Sequence, residues 1–144
     1  NNKKDAMKRF CENFERLPIS VKKRLTVEND DRATLYSVTD LYTDVYEKIK
    51  IPIVFDYHHH RFCNGNLSEK EALEIAISTW GNIKPVVHYS ESRSEEKNDN
   101  SIRPQAHSDY VFQKIDTYGN NIDIMIEAKY KELAVIKYLK KHSN

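Results

Sequence analysis

Side chains that could bind a divalent cation recur at the ends of the segments that the sequence predicts to be strands. They are Glu28, Asp56, His88 and Glu127. Three carboxylates and one imidazole form the mixed oxygen and nitrogen ligand set that suits Mn²⁺, Mg²⁺ or Zn²⁺. The regular recurrence of such residues after successive strands predicts a metal site.

Each of these residues also has a plainer explanation when it is taken singly. An acid at the end of a strand often caps the next helix or forms a salt bridge in a loop, and aspartate is a favoured capping residue. A single ordinary cause, such as helix capping, does not explain why a potential ligand follows each of the predicted strands. The set of residues, and not any one member, therefore carries the prediction.

Further histidines lie close to these acids in the sequence. A run of histidines at 58–60 directly follows Asp56 in mid-chain, which argues against an expression tag. If the run is extended, alternate members face opposite ways, so only one or two can reach a common metal. We choose His59, which forms an Asp-x-x-His pattern with Asp56. His107 with Asp109 is a second candidate pair, although a capping role at the start of a helix explains it equally well.

The apolar pattern predicts the elements that must position these ligands. Apolar residues at helical spacing, Met7 to Leu17, indicate an opening helix that Pro18 helps to end, and strands then alternate with helices. The predicted strands are 25–27, 51–55, 85–89 and 122–127, the predicted helices lie at 38–49, 68–80, 107–116 and 133–139, and 90–104 is predicted to be a long loop.

This alternation indicates an α/β fold of about four βα units preceded by a helix. Strand–helix repeats form right-handed βαβ units and a parallel sheet. Continuous apolar strands such as 51–55 agree, because parallel strands are covered on both faces. The C-terminal ends of parallel strands lie on one rim, so the four candidate ligands are expected to converge there.

Composition and charge exclude several classes of protein. With 39% hydrophobic and 31% charged residues and only 3 glycines, the chain is expected to be globular. Cys11 and Cys63 match no zinc or redox spacing, and we expect reduced thiols in an intracellular protein of the cytoplasm or nucleus. No apolar run approaches the roughly 20 residues of a membrane span. The net charge of +1 does not indicate a nucleic-acid partner, so a DNA function must depend on a site.

Five segments together resemble the UV damage endonuclease family. They occur in the family's order over nearly the whole chain, which is far more specific than any one of them. The segments are Leu25-Thr26-Val27-Glu28-Asn29-Asp30-Asp31, Phe55-Asp56-Tyr57-His58-His59-His60, Val87-His88-Tyr89-Ser90, His107-Ser108-Asp109-Tyr110 and Ile126-Glu127-Ala128-Lys129.

The resemblance implies a TIM-type (β/α) barrel with up to three metal ions at its rim. Such a protein would hydrolyse the phosphodiester on the 5′ side of a UV-damaged nucleotide in double-stranded DNA. Clustered cations lower the pKa of a bound water and stabilise the charge of a phosphoryl transition state, which agrees with that reaction. The expected cofactor is Mn²⁺, with Zn²⁺ or Mg²⁺ as alternatives.

The family's motifs imply roles for individual residues. Glu28 would bridge to a second metal ion, and His59 and His107 would hold a third. Lys129, close behind Glu127, would lie near the phosphates, although an ordinary surface lysine is an equal explanation. The residues implied as ligands of the first ion are Glu28, Asp56, His88 and Glu127.

Two features depart from the family. Its barrel has eight βα units and roughly 250 residues or more, whereas this chain supplies about half of those units. We therefore expect residues 1–144 to be the C-terminal portion of a longer protein, as a start without methionine also suggests, with an incomplete metal cluster and little activity alone. Many family members have a lysine two positions before His88, where this chain has Val86, so no role for a modified lysine carries over.

Two other functions remain open on the sequence. Xylose-isomerase-like sugar isomerases also gather Glu, Asp and His from successive barrel strands onto divalent metals. The histidines at 58–60 and His107 favour the nuclease, because a third ion suits phosphate chemistry. A non-catalytic half-barrel that binds a metal or associates with another copy is the remaining alternative, since exposed sheet edges promote association. The expected partners are damaged double-stranded DNA and the N-terminal half of the barrel.

Overall fold

A parallel four-stranded sheet with the strand order β1-β2-β3-β4 organises the chain in the computed structural model, which describes residues 3–142. The predicted domain 1–144 also includes Asn1, Asn2, Ser143 and Asn144, which lie outside the described residues. The strands are β1 (Val27–Glu28), β2 (Ile53–Asp56), β3 (Val86–Tyr89) and β4 (Asp123–Ile126).

Helices connect the strands, as the alternating pattern predicts. No helix within residues 3–142 has the length and apolar character needed to cross a membrane. The helices are α1 (Lys3–Phe14), α2 (Ile19–Lys22), α3 (Val38–Leu41), α4 (Glu47–Ile49), α5 (Tyr57–His60), α6 (Glu69–Ser78), α7 (Arg93–Lys97) and α8 (Lys131–His142), and the π-helical segment Tyr42–Tyr46 joins α3 to α4.

The two faces of the sheet have different surroundings. Strand register aligns Phe55 with Val87 and Val87 with Ile124, and these side chains pack with the helices in the hydrophobic core. Because side chains alternate along a strand, the next residue of each strand lies on the other face. Asp56 and His88 are aligned partners on that second face. The register thus separates a hydrophobic face from a face that carries the candidate ligands.

Sequence patterning predicted the helices that cover the core. The side chains of Met7, Cys11 and Phe14 on α1 are buried, as the spacing of apolar residues requires. The capping box that begins α6 is present, because Ser68 accepts from the backbone N–H of Glu71 and the Glu71 carboxylate accepts from Ser68. The predicted α/β fold, four βα units of barrel type preceded by a helix, is confirmed.

Two local predictions between β3 and β4 were wrong. The segment 90–104 is not one long loop, because it contains α7. The segment 107–116 is not a helix, because the carboxylate of Glu96 accepts from the backbone N–H groups of Asp109 and Tyr110. The carboxylate of Glu91 likewise accepts from the backbone N–H groups of Phe112 and Gln113. These N–H groups are therefore not available for the hydrogen bonds of a helix.

One side of the sheet leaves apolar surface exposed. Met125 in β4 is 52% exposed, and Leu133 in α8 is also 52% exposed. The predicted closing helix is present as α8, but only Ala134 is buried on it, while Ile136 and Leu139 are exposed. The apolar residues that identified this helix in the sequence are thus about half exposed to solvent.

Candidate metal centre

The four candidate ligands at the strand ends lie on the face of the sheet that is turned away from the core. Glu28 ends β1, Asp56 ends β2 and His88 lies in β3. Glu127 follows β4, and its backbone N–H donates to the carbonyl of Tyr89 over 2.9 Å, which continues the ladder by one residue. The parallel register therefore brings residues that are far apart in sequence to one rim.

Ligand atoms of Glu28, Asp56 and His88 all lie within 4.8 Å of one another. Nδ1 of His88 is 3.3 Å from a carboxylate oxygen of Glu28 and 3.5 Å from one of Glu127. The imidazole thus lies between two carboxylates. An arrangement of acids around one imidazole at this spacing could hold a divalent cation.

Only one histidine of the run 58–60 reaches these acids. The run forms the helical turn α5 and is not extended, so successive side chains point in different directions. His58 is buried edge-on against Phe62, and His60 is buried near Phe55. Nδ1 of His59 is 3.3 Å from a Glu28 oxygen, and its Nε2 is 3.9 Å from Oδ2 of Asp56.

Asn29 positions this corner of the site, a role that sequence reasoning missed. Its side-chain amide donates to the carbonyl of Asp56 over 3.0 Å and accepts from the N–H of Asp56 over 2.8 Å. Its own carbonyl is 2.8 Å from Nδ1 of His59, and because a carbonyl can only accept, that nitrogen carries the proton. Nε2 of His59 is then free to bind a metal, as in many metal sites. The sequence signal was an amide directly after Glu28, within the first of the five segments that resemble the family.

His107 lies at the other end of the cluster. Its Nδ1 is 3.9 Å from a Glu127 oxygen, and its ring meets the ring of His58 edge-on. Asp109, the other half of the predicted His-x-Asp pair, instead forms an ion pair with Lys97 over 2.6 Å. The contacts place His107, without Asp109, beside the acids.

Lys129 and Val86 complete the positions singled out in the sequence. Lys129 is exposed, its backbone N–H donates to Ser108 over 2.9 Å, and it lines an open groove together with His107 and Glu127. Val86 is aligned with Asp123 on the same face as His88, and it offers no ligand atom.

Two buried atoms in the cluster have no hydrogen-bond partner within residues 3–142. Oδ1 of Asp56 accepts from the N–H of His59 over 2.8 Å, but Oδ2 of Asp56 has no hydrogen bond. Nδ1 of His88 is likewise buried without a hydrogen bond. Leaving buried polar atoms unpaired costs roughly 1–3 kcal/mol each, so such atoms call for an explanation. A cation coordinated by both atoms would supply one.

Electrostatics in the cluster follow from burial and from close opposite charges. Burial raises the pKa of Asp56 to about 6, although His59 opposes the shift. Burial also pushes the pKa of Glu28 upward, but His88 and His59 outweigh it and the net pKa is lowered. The Glu28 carboxylate raises the pKa of His88, and burial lowers that of His107. The lowered pKa of Glu28 and the raised pKa of His88 both mean that this cluster favours a positive charge beside the Glu28 carboxylate.

Comparison with known proteins places this geometry in a family. The chain is 40% identical to a UV DNA damage endonuclease of Bacillus mycoides over 150 residues, which are 96% of this chain and 44% of that protein. It is 36% identical to that of Bacillus anthracis over 156 residues, 99% of this chain and 45% of that protein. The chain thus spans less than half the length of these curated relatives.

A solved structure and a family profile agree with these relatives. The crystal structure of SacUVDE superimposes with a TM-score of 0.79 and 32% sequence identity, covering 98% of this chain and 48% of that one. The profile of the family described as UV-endonuclease UvdE matches residues 1–144. The chain belongs to the UV-endonuclease UvdE family.

Proposed function

We propose that this chain is the C-terminal portion of a metal-dependent DNA repair endonuclease that hydrolyses the phosphodiester 5′ to UV-damaged nucleotides. The observation that carries the proposal is the convergence of Glu28, Asp56 and His88 within 4.8 Å. The unpaired Oδ2 of Asp56 and Nδ1 of His88 add to it. The name of the relatives, UV DNA damage endonuclease, supports UV-damaged DNA as the substrate. The proposed substrate is damaged double-stranded DNA inside a cell, in the cytoplasm or nucleus.

Metal binding is the first task that we assign to the cluster. Glu28, Asp56, His88 and Glu127 are the proposed ligands of one ion, and the contacts of Glu28 with both His59 and His88 suit a bridge to a second. His59 and His107, at the two ends of the cluster, are proposed to hold a further ion. Mn²⁺ is the first choice for this mixture of carboxylate and imidazole, with Zn²⁺ and Mg²⁺ as alternatives.

Hydrolysis would use the ions and the surrounding protein in different ways. When bound, the ions would activate a water and stabilise the charge of the phosphoryl group. The carbonyl of Asn29 keeps the proton of His59 on Nδ1, so Nε2 can bind a metal. Lys129, in the groove beside Glu127, would attract the phosphates of the strand. This division agrees with phosphoryl transfer, in which positioning and charge stabilisation provide most of the catalysis.

Completion of the barrel is the second part of the proposal. The free edge of β4 and the exposed apolar residues of α8 form the side on which an N-terminal half would add further strands and helices. Association of two copies through this same side is the alternative. In either case we expect the chain alone to have little or no nuclease activity.

Metal binding can be tested directly on this chain. We expect Mn²⁺ titration, followed by calorimetry or by electron paramagnetic resonance, to show binding that Asp56→Asn or Glu127→Gln weakens at least about tenfold. Glu74→Gln on α6, an exposed acid that forms an ion pair with Lys70, is the matched control. Binding that is equally strong in all variants would remove the metal centre.

Nuclease function is tested on the parent protein. We expect it to nick UV-irradiated plasmid in Mn²⁺, and we expect Asp56→Asn to suppress nicking. Equal cleavage of irradiated and undamaged plasmid would remove the repair assignment. Interconversion of aldose and ketose sugars without DNA cleavage would support the isomerase instead.

A further inference from the structure

Two tyrosines lie beside the metal centre in positions that the site itself does not explain. Tyr110 follows His107 by three residues, and Tyr130 follows Glu127 by the same interval. Three residues span at most about 11 Å, so the backbone of each tyrosine lies within about that distance of the backbone of a candidate ligand. The rings stack with centroids 4.8 Å apart and an interplanar angle of 11°. Because Tyr130 is 47% exposed, one ring of the stack is accessible to solvent.

The backbone around this stack is held by hydrogen bonds. The N–H groups of Lys129 and Tyr130 donate to the carbonyls of Ser108 and Asp109 over 2.9 and 3.2 Å. The carboxylate of Glu96 accepts from the N–H of Tyr110 on the other side. The two segments that follow the candidate ligands thus run side by side, and the stack is a fixed continuation of the site.

Two lysines of α8 contact the segment that carries Tyr110. The ammonium group of Lys137 lies 4.0 Å from the ring centroid of Tyr110 and 5.0 Å from that of Phe112. Lys141, one helical turn further along α8, donates to the carbonyl of Phe112 over 2.7 Å. Within residues 3–142 no carboxylate forms an ion pair with Lys129, Lys137 or Lys141. An exposed ring among lysines without acidic partners is the combination that binds unpaired nucleotides, with bases stacked on the ring and phosphates near the cations.

We propose that Tyr130, backed by Tyr110, which in turn contacts Lys137, is a platform that holds an unpaired nucleotide of a DNA strand beside the metal centre. This proposal rests on the proposed nuclease function, because it takes DNA as the ligand. It names the part of the substrate that this surface contacts. Exposed aliphatic side chains, such as Leu133 and Ile136, also lie on α8, whereas Tyr130 is the exposed aromatic residue at its start.

The chain contains a natural control cluster. Tyr42 and Tyr46 have ring centroids 5.2 Å apart, and the ammonium group of Lys50 lies 4.8 Å from the Tyr46 centroid. This second cluster lies just before β2, at the opposite end of the strand from Asp56. It has the same residue types as the platform and no candidate metal ligand beside it. A general effect of losing a tyrosine or a lysine should therefore appear equally at both places.

The test is DNA binding by the chain in EDTA, measured by fluorescence anisotropy with labelled single-stranded oligothymidylate and with an intact duplex. We expect Tyr130→Ala to weaken binding of the single strand about tenfold or more, since stacking on one aromatic ring contributes roughly that much. Binding of the duplex should change far less. Tyr130→Phe should retain binding, because it keeps the ring, and Tyr46→Ala should have no measurable effect.

Salt dependence tests the cation separately. We expect Lys137→Ala to reduce the slope of log affinity against log salt by about 0.7, the value for one phosphate contact to a single strand. Lys50→Ala should leave the slope unchanged. Thermal unfolding of each variant checks that the fold persists.

Several results would overturn the platform. These are undetectable DNA binding, equal losses for Tyr130→Ala and Tyr46→Ala, loss of binding in Tyr130→Phe, or an unchanged slope in Lys137→Ala. A changed oligomeric state of Tyr130→Ala in sedimentation velocity would make the surface a protein contact. Because no metal is present, these results are independent of Mn²⁺ binding at Asp56, so failure of the platform and failure of the nuclease assignment can be distinguished.

Discussion

The central strand β2 and the edge strand β4 each bring one acid to the same cluster, yet their surroundings differ. Every residue of β2 is buried, and Phe55 and Asp56 are both 0% exposed. In β4 exposed and half-buried residues alternate, and Met125 is 52% exposed. Within residues 3–142, β2 lies between two strands, whereas β4 pairs with β3 and forms an edge of the sheet. The acid on β2 is thus fully buried, and the acid after β4 lies next to exposed surface.

Core substitutions should give the largest difference between the two strands. We expect Phe55→Ala to lower the free energy of unfolding by about 3–5 kcal/mol, because it removes a fully buried ring that packs against Tyr57. Met125→Ala should change it by less than about 1 kcal/mol, since half of that side chain already contacts solvent. Urea denaturation measures both, and equal losses would show that β4 is as well packed as β2.

Asn29 should have the next largest effect, because it joins the ends of β1 and β2. We expect Asn29→Ala to lower the free energy of unfolding by about 2 kcal/mol, since it leaves the buried N–H and C=O groups of Asp56 unpaired. It should also weaken Mn²⁺ binding, because His59 loses its fixed orientation if the loop shifts. Asn13→Ala, at an exposed position of α1, is the control. An effect no larger than that of the control would remove the positioning role.

Stability in EDTA should depend on pH through the buried carboxyl of β2. Burial raises the pKa of Asp56 to about 6, whereas an unfolded aspartate titrates near 4, so the folded chain binds the proton more tightly. The contribution of Asp56 to the free energy of unfolding should therefore fall as the pH rises from about 4 to about 6. Buried His58, whose pKa burial lowers to about 4, makes the opposite contribution over the same range. The raised pKa of His88 extends this loss upward, and the lowered pKa of Glu28 opposes it at the acid end.

The variant Asp56→Asn isolates this contribution, because asparagine does not titrate. We expect the parent chain to lose stability relative to Asp56→Asn as the pH rises from about 4 to about 6. Thermal unfolding across that range in EDTA provides the measurement. Identical pH profiles for the two proteins would show that the carboxyl of Asp56 titrates as it does in an unfolded chain.

Substitutions on α8 should have the smallest effect on stability and a visible effect on association. We expect Leu133→Glu to change the free energy of unfolding by less than about 0.5 kcal/mol, because the side chain is 52% exposed. If the chain self-associates through this side, the same change should shift it toward monomer in sedimentation velocity. A large loss of stability would show that Leu133 packs in the folded chain.

Local patterns were sufficient to predict the elements and the cluster. Apolar runs such as 51–55 indicate buried strands, and the residue type at each strand end is visible directly, as with Asp56 and His88. Parallel pairing then follows from the alternation of strands and helices. The convergence of the ligands was predictable because the C-terminal ends of parallel strands lie on one rim of the sheet.

Features that depend on distant side chains could not be predicted in the same way. The path of 107–116 is determined by Glu91 and Glu96, which take the hydrogen bonds of its backbone. The polar helix α7 shows no apolar period, although Ser92 and Glu95 have the spacing of a capping box. An amphipathic pattern also says nothing about what covers it, which is why the exposed face of α8 was unexpected.

The two carboxylate oxygens of Asp56 have different contacts, and this affects how a cation would be coordinated. Oδ1 accepts from the N–H of His59 at the start of α5, while Oδ2 lies 3.9 Å from Nε2 of His59. If this site binds a metal ion, the carboxylate of Asp56 and the imidazole of His59 would form a chelating pair whose spacing is set by one turn of helix. Insertion of a residue between Asp56 and His59 would remove the hydrogen bond that caps α5, and it would also move these two side chains apart.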